Sequence, residues 1–156
     1  MSVKTNAARI LEKKRVQFEL LTYEVDENNL SAVHIAHQKG LPVASVFKTL
    51  VLRGDRQGIF VCLIPATDEV DLKKAAKASG NKSCSLIHVK ELLGLTGYIR
   101  GGCSPVGMKK QFPTYIHESC LQSDKIYISG GARGIQLKLS PADLIQVCQM
   151  TVAPLV

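Results

Sequence analysis

The stretch from Val46 to Ala66 limits the fold more than any other part of the chain. VFKTLVLR (46–53) and IFVCLIPA (59–66) are two apolar runs of strand length, and GDRQG lies between them. Branched and large apolar side chains favour extended backbone, and a polar, glycine-bounded stretch of about five residues between two such runs is a hairpin signal. Lys48 interrupts the first run. Strand alternation places Val46, Lys48 and Leu50 on one face and Phe47, Thr49 and Val51 on the other. An ammonium among apolar neighbours must keep its charge hydrated or paired. It either snorkels outward or meets an anionic group in a cleft or at a sheet edge.

The segments around the hairpin are short and mixed. Thr5 caps a predicted helix running to about Arg15, and Ser31 caps AVHIAHQK, which Gly40 ends. Asp68 or Asp71 opens DLKKAAKASG, VKELLGL (89–95) is a further helix, and Pro141 sits in the first turn of PADLIQVCQM. FELLTYEV (18–25), PTYIHESC (113–120), DKIYISG (124–130) and GIQLKLS (134–140) read as strands. Strands and helices do not alternate regularly, which argues against a doubly wound sheet. The expected class is mixed α/β, with a barrel-like, mainly antiparallel curved sheet and short flanking helices. At 156 residues, 46% of them hydrophobic, the chain is expected to form a single domain over 1–156 rather than a disordered segment.

Charge narrows the partners. Twenty Lys and Arg against 13 Asp and Glu give a net +7. A basic domain suits an anionic partner, nucleic acid first, although basic surfaces also serve solubility. The N-terminal residues are polar and charged, and no apolar run approaches a membrane span, so a cytoplasmic protein without membrane association is expected. Cys62, Cys84, Cys103, Cys120 and Cys148 are odd in number and form no CxxC pair, so reduced thiols are expected rather than a zinc or redox motif. His34 and His37 have metal-pair spacing, but no third ligand follows in a recognised pattern. No metal and no cofactor is expected.

Two glycine-rich stretches stand out. GGCSPVGMKK (101–110) has the glycine spacing of a phosphate-binding loop, but Met108 stands where that loop needs lysine. SGGARG (129–134) lacks the strand–helix–strand setting of a dinucleotide fingerprint. Glycine still permits close backbone approach, and amides in such a bend can converge on an oxygen gaining negative charge. An ordinary tight loop is the other reading. Cys103 is a possible nucleophile if Lys109 or Lys110 lowers its pKa, but sequence alone brings no histidine base to it.

SVFKTLVLR (45–53), DLKKAAKA (71–78), GLTGYIRGGCSPVGMKK (94–110) and ISGGARGIQLKLSPADLI (128–145), in this order, resemble the YbaK/ProX group of aminoacyl-tRNA editing domains. The resemblance spans nearly the whole chain and implies a deacylase for mischarged Cys-tRNA(Pro), and to some extent Cys-tRNA(Cys), acting in trans with prolyl-tRNA synthetase. Cysteine and proline are close in volume, so a synthetase pocket separates them poorly and a second site is needed. The resemblance makes Lys48 the functional lysine and Gly101 and Gly102 the oxyanion loop. It implies substrate contacts for Tyr23, Ser104, Pro105, Gly107, Ser129 and Asp143. Arg53, Arg56, Lys109 and Lys110 are candidate tRNA contacts.

Cleaving the ester needs a nucleophile, oxyanion stabilisation and proton handling at the ribose oxygen. In this family the substrate's own thiol is thought to attack its carbonyl and leave as a thiolactone. A thiol is partly ionised near neutral pH, whereas a lysine is mostly protonated there, which favours a positioning role for Lys48. The alternatives are editing of another small amino acid such as alanine, and a non-catalytic tRNA-binding module.

Overall fold

The structure is a computed structural model that describes residues 4–156; the first three residues of the expected 1–156 domain lie outside the described residues. The hairpin forms its centre. Strands β2 (Phe47–Gly54) and β3 (Gly58–Pro65) pair antiparallel from Phe47↔Pro65 to Gly54↔Gly58. Because the two glycines pair with each other, Asp55, Arg56 and Gln57 alone cross the turn, a shorter crossing than the sequence led us to expect. Asn81 shapes it: its Oδ1 accepts from the backbone N–H groups of Arg56 and Gln57 at 2.9 and 2.7 Å. A Cβ at Gly54 would collide with the Asn81 side chain, so the glycine makes room for this lock.

The hairpin is the middle of a five-stranded sheet ordered β4-β2-β3-β5-β8, where β4 is Cys84–Leu86, β5 Thr114–His117 and β8 Thr151–Ala153. β4 and β3 run antiparallel to β2, while β5 and β8 add parallel strands at the far edge. A second, antiparallel sheet is ordered β1-β7-β6, from β1 (Phe18–Thr22), β7 (Ile135–Leu139) and β6 (Ile126–Ser129). A parallel bridge between Val46 and Tyr127 joins the two sheets.

Alternation explains how the core is shared. Val51, Val61, Leu63 and Ile116 of the first sheet meet Ile126, Ile128, Leu137 and Leu139 of the second in one buried cluster. On the other face of β3, Phe60, Cys62 and Ile64 pack with Ala75 and Leu155. β3 is therefore covered on both sides, which is why its sequence is apolar without a break.

The helices follow their caps. Thr5, Ser31, Asp71 and Ser140 each accept a backbone N–H through their side chains at the starts of α1 (Asn6–Lys13), α2 (Ala32–Lys39), α3 (Leu72–Ala78) and α5 (Pro141–Cys148). Gly40 ends α2 in the left-handed conformation at φ 65°. α4 (Val89–Thr96) starts with Glu91 accepting from the His88 N–H at 3.1 Å. Two predicted strands are shorter than expected. β1 stops at Thr22 instead of residue 25, and β5 stops at His117, where the chain tightens into a 3-10 helix over Glu118–Gln122. Among the described residues no helix is long and apolar enough to cross a membrane, and all five cysteines are free.

Candidate active site

A cavity of about 290 Å³ opens where the edge of β2, the start of α2 and the glycine loop converge. β2 contributes Phe47, Lys48, Thr49 and Leu50. Lys48 is half-buried, opposite Ile64 on β3, and among the described residues no carboxylate pairs with it. Its ammonium is thus available to an incoming anion or a polarised oxygen. The sequence left two options for this lysine, and its position on the cavity wall agrees with the cleft.

The facing wall is backbone. The two glycine-rich stretches, far apart in sequence, lie against each other here. A Cβ on Gly102 would come within 3.1 Å of the Arg133 nitrogen and 3.2 Å of Ala132, so the loops touch main chain to main chain. The Arg133 Nε donates to the Arg100 carbonyl at 2.8 Å and fastens the contact. Tyr98 holds the rest of the loop: its hydroxyl donates to the Val106 carbonyl, and its ring lies 3.1 Å from where a Cβ on Gly131 would sit. Gly101 adopts φ 84°, which a side chain resists. The Gly102 N–H already donates to the Ile99 carbonyl at 2.9 Å. The Gly101 N–H has no protein acceptor among the described residues, and Gly101 lines the cavity. A main-chain N–H without a protein acceptor in a residue on a cavity wall is the kind of group that stabilises an oxyanion.

Two side chains that sequence reasoning missed complete the polar lining. Thr49 Oγ1 and Gln136 Oε1 are buried without any hydrogen-bond partner, and both residues face this cavity. Gln136 is only 3% exposed. It pairs with Ser129 across β6 and β7, on the face opposite Leu137, and Ser129 lines the cavity beside it. Buried polar atoms are nearly always satisfied, so two orphans in one cavity point to a ligand. The sequence signal is a glutamine inside the strand IQLKL, which alternation alone does not distinguish from an outward-facing residue.

The expected residues divide clearly. Tyr23, Lys48, Gly101 and Ser129 line the cavity, as does Cys103. Ser104 does not: it is fully buried, and its hydroxyl accepts from the Val106 N–H at 3.2 Å. Pro105 and Gly107 line a separate hollow against Ile10 and Lys14 of the α1 region. Asp143 lies in the first turn of α5, where its N–H is capped by Ser140, and is not among the cavity residues. Burial pushes the Cys103 thiol up to about 11, despite a hydrogen bond with Thr96 that lowers it. At neutral pH that sulfur is a thiol, not the thiolate a nucleophile needs. Lys109 and Lys110 are exposed but did not lower it. Arg56 is exposed at the hairpin tip, whereas Arg53 is held by Glu91 at 2.8 Å and its charge is already matched.

Residues 26–147 match the aminoacyl-tRNA editing domain. The chain belongs to that family. An Enterococcus faecalis protein, EbsC, named as a candidate Cys-tRNA(Pro)/Cys-tRNA(Cys) deacylase, is 46% identical over 144 residues, covering 92% of this chain and 88% of that protein. The crystal structure of a candidate trans-editing enzyme for prolyl-tRNA synthetase superposes with TM-score 0.80 at 25% identity over 98% of both chains. That of hypothetical protein APE2540 gives TM-score 0.85 at 22% identity, covering 94% of this chain and 96% of the other, and shows the same fold. The chain is thus an aminoacyl-tRNA editing enzyme of mixed α/β fold. An editing domain must receive an aminoacyl ester and stabilise its carbonyl oxygen as the bond breaks. The cavity beside Lys48 has the open amide and the unpaired cation that such chemistry uses.

Proposed function

We propose that the chain is a trans-acting deacylase that removes cysteine from mischarged tRNA(Pro), and also acts on Cys-tRNA(Cys). The observation that carries this reading is the meeting of Lys48, the unpaired Gly101 N–H and the orphan Gln136 Oε1 in one cavity. The relationship to EbsC supports cysteine as the amino acid. The chain acts as one domain over residues 1–156, in the cytoplasm, with prolyl-tRNA synthetase as partner and no cofactor.

The α-ammonium of the cysteinyl group donates to Gln136 Oε1, which fixes the amino acid in the cavity. Thr49 supplies a hydroxyl beside it, and Tyr23 and Ser129 complete the wall. The Gly101 N–H donates to the carbonyl oxygen. The Lys48 ammonium holds the ribose and phosphate side and offsets the charge that develops there. The substrate thiolate attacks its own carbonyl carbon. A carbon–sulfur bond forms, the carbon–oxygen ester bond breaks, and the ribose oxygen takes up a proton. The products are a cyclic thiolactone, later opened by water, and uncharged tRNA. Proline and alanine carry no thiol and are spared without a tight steric filter.

Nothing in this route asks for a protein nucleophile, which suits the raised pKa of Cys103. The decisive experiment is a panel of mischarged tRNA(Pro) species. Cysteine should be released rapidly, and serine and alanine slowly. Retention of tRNA without any loss of the amino acid would make the chain a binding module, and preferential loss of alanine would make it an editor of a different residue.

A further inference from the structure

The glycine loop opens with a four-residue turn. The Gly102 N–H donates to the Ile99 carbonyl at 2.9 Å, which makes Arg100 and Gly101 the central residues. Gly101 takes φ 84°, and a positive φ at the third position of a closed turn marks type II. Types I and II share the closing hydrogen bond. They differ by about half a rotation of the central peptide, which here carries the Arg100 carbonyl and the Gly101 N–H. The closing bond therefore does not decide which way that N–H points. A planar trans peptide holds its carbonyl and its N–H in opposite directions, so a group that grips the first aims the second.

Arg133 grips it. Its Nε donates to the Arg100 carbonyl at 2.8 Å and lies 3.4 Å from where a Cβ on Gly101 would sit. The side chain comes from the β6–β7 connection, which is itself tied down. The Gly130 N–H donates to the Ile135 carbonyl and the Tyr23 N–H to the Gly134 carbonyl, both at 2.9 Å. Arg133 is not among the residues that line the Lys48 cavity, and among the described residues it makes no ion pair. No carboxylate draws its guanidinium away from the peptide.

We propose that Arg133 is a positioning residue for ester cleavage: its hold on the Arg100 carbonyl keeps the central peptide of this turn in the type II orientation, with the Gly101 N–H aimed at the substrate carbonyl. This rests on reading the Gly101 N–H as the oxyanion donor in the cysteinyl site. The cation has a second effect on the same peptide. A charge-assisted hydrogen bond at the carbonyl polarises the group and strengthens the N–H as a donor. Both effects count most when the substrate oxygen gains charge, so their loss falls on turnover and not on binding.

The test compares Arg133→Gln and Arg133→Lys with the wild-type protein, each assayed well below its melting temperature. In isotope-labelled protein, Arg133→Gln should move the Arg100 carbonyl carbon and the Gly101 amide proton upfield. The Gly102 amide, which closes the turn in either orientation, should move less. In steady-state deacylation of Cys-tRNA(Pro), Arg133→Gln should lower kcat roughly tenfold and leave KM within about twofold. That is less than the roughly hundredfold or greater cost of losing an oxyanion donor outright. Arg133→Lys keeps a cationic donor and should lose less, and its resonances give a second reading should the glutamine variant fold poorly. The dependence of KM on salt should be the same for all three proteins.

Unmoved Arg100 and Gly101 resonances, or an unchanged kcat, would overturn the proposal. So would a raised KM with a salt slope reduced by about one, which would make Arg133 a phosphate contact. If the wild-type enzyme released a different amino acid and spared cysteine, the cysteinyl reading would fail. The kcat comparison on that other ester would then decide the role of Arg133 separately.

Discussion

Two buried amides in this molecule face opposite fates. Asn81, 8% exposed, uses both ends of its amide: Oδ1 accepts from Arg56 and Gln57, and Nδ2 donates to Ser79 at 2.8 Å. Gln136, 3% exposed, leaves its Oε1 with no partner at all. Burying an amide oxygen without a hydrogen bond costs about 1–3 kcal/mol. A satisfied amide repays that cost within the fold, so Asn81 reads as a lock on the hairpin turn. An unsatisfied one does not, so Gln136 reads as a group kept ready for a ligand. The same chemistry therefore separates structure from function in two places on one chain.

The comparison can be broken from its functional end. Lys48→Ala should cut kcat/KM for Cys-tRNA(Pro) by about a hundredfold or more, because removing a charge that acts in the transition state costs several kcal/mol. Thermal melting should barely change, since Lys48 makes no ion pair among the described residues. A Lys48→Ala enzyme with near-normal turnover would remove the cation from the account.

Gln136→Leu sharpens the contrast. Losing a hydrogen bond to a charged α-ammonium should lower kcat/KM by about 10- to 100-fold, corresponding to the ~1.5–3 kcal/mol of such a bond. Stability should stay level or rise, because the variant buries no orphan oxygen. A clear drop in Tm with activity retained would show that Gln136 is a structural residue after all.

Asn81→Ala should do the reverse. It frees two turn amides and should cost about 1–3 kcal/mol, read as a lower midpoint in urea. Catalysis should be nearly untouched, because Asn81 is not among the residues that line the cavity. The smallest effect is expected at Cys103. Cys103→Ala should keep most of the deacylase activity. Alkylation of Cys103 by iodoacetamide in the folded protein should stay slow at neutral pH and accelerate only toward pH 11, since burial holds the thiol protonated. Fast labelling at pH 7 would contradict that environment.

Much of this was legible in the sequence. The hairpin, the four side-chain-capped helices and the lysine in the β2 strand are local features, set by turn residues, caps and alternation. Both glycine stretches were visible too, but not that they would lie against each other main chain to main chain. What sequence could not supply was long-range placement. Gln136 and Thr49 are ordinary strand residues until β7 and β2 are brought to one cavity. Within the 101–110 loop, sequence could not tell Gly101, which opens to the cavity, from Ser104, whose hydroxyl is consumed by a turn two residues long. β4 and β8 were missed because three-residue edge strands carry too few residues to show a period.

The central claim is that the substrate's own thiol breaks the ester inside this cavity. Release rates of cysteine and of serine from otherwise identical tRNA(Pro), measured side by side with the wild-type enzyme, test it most directly. The account predicts rapid loss of cysteine, with a thiolactone trappable early in the reaction, and loss of serine slower by orders of magnitude. Serine released as fast as cysteine would show that water or a protein group is the nucleophile.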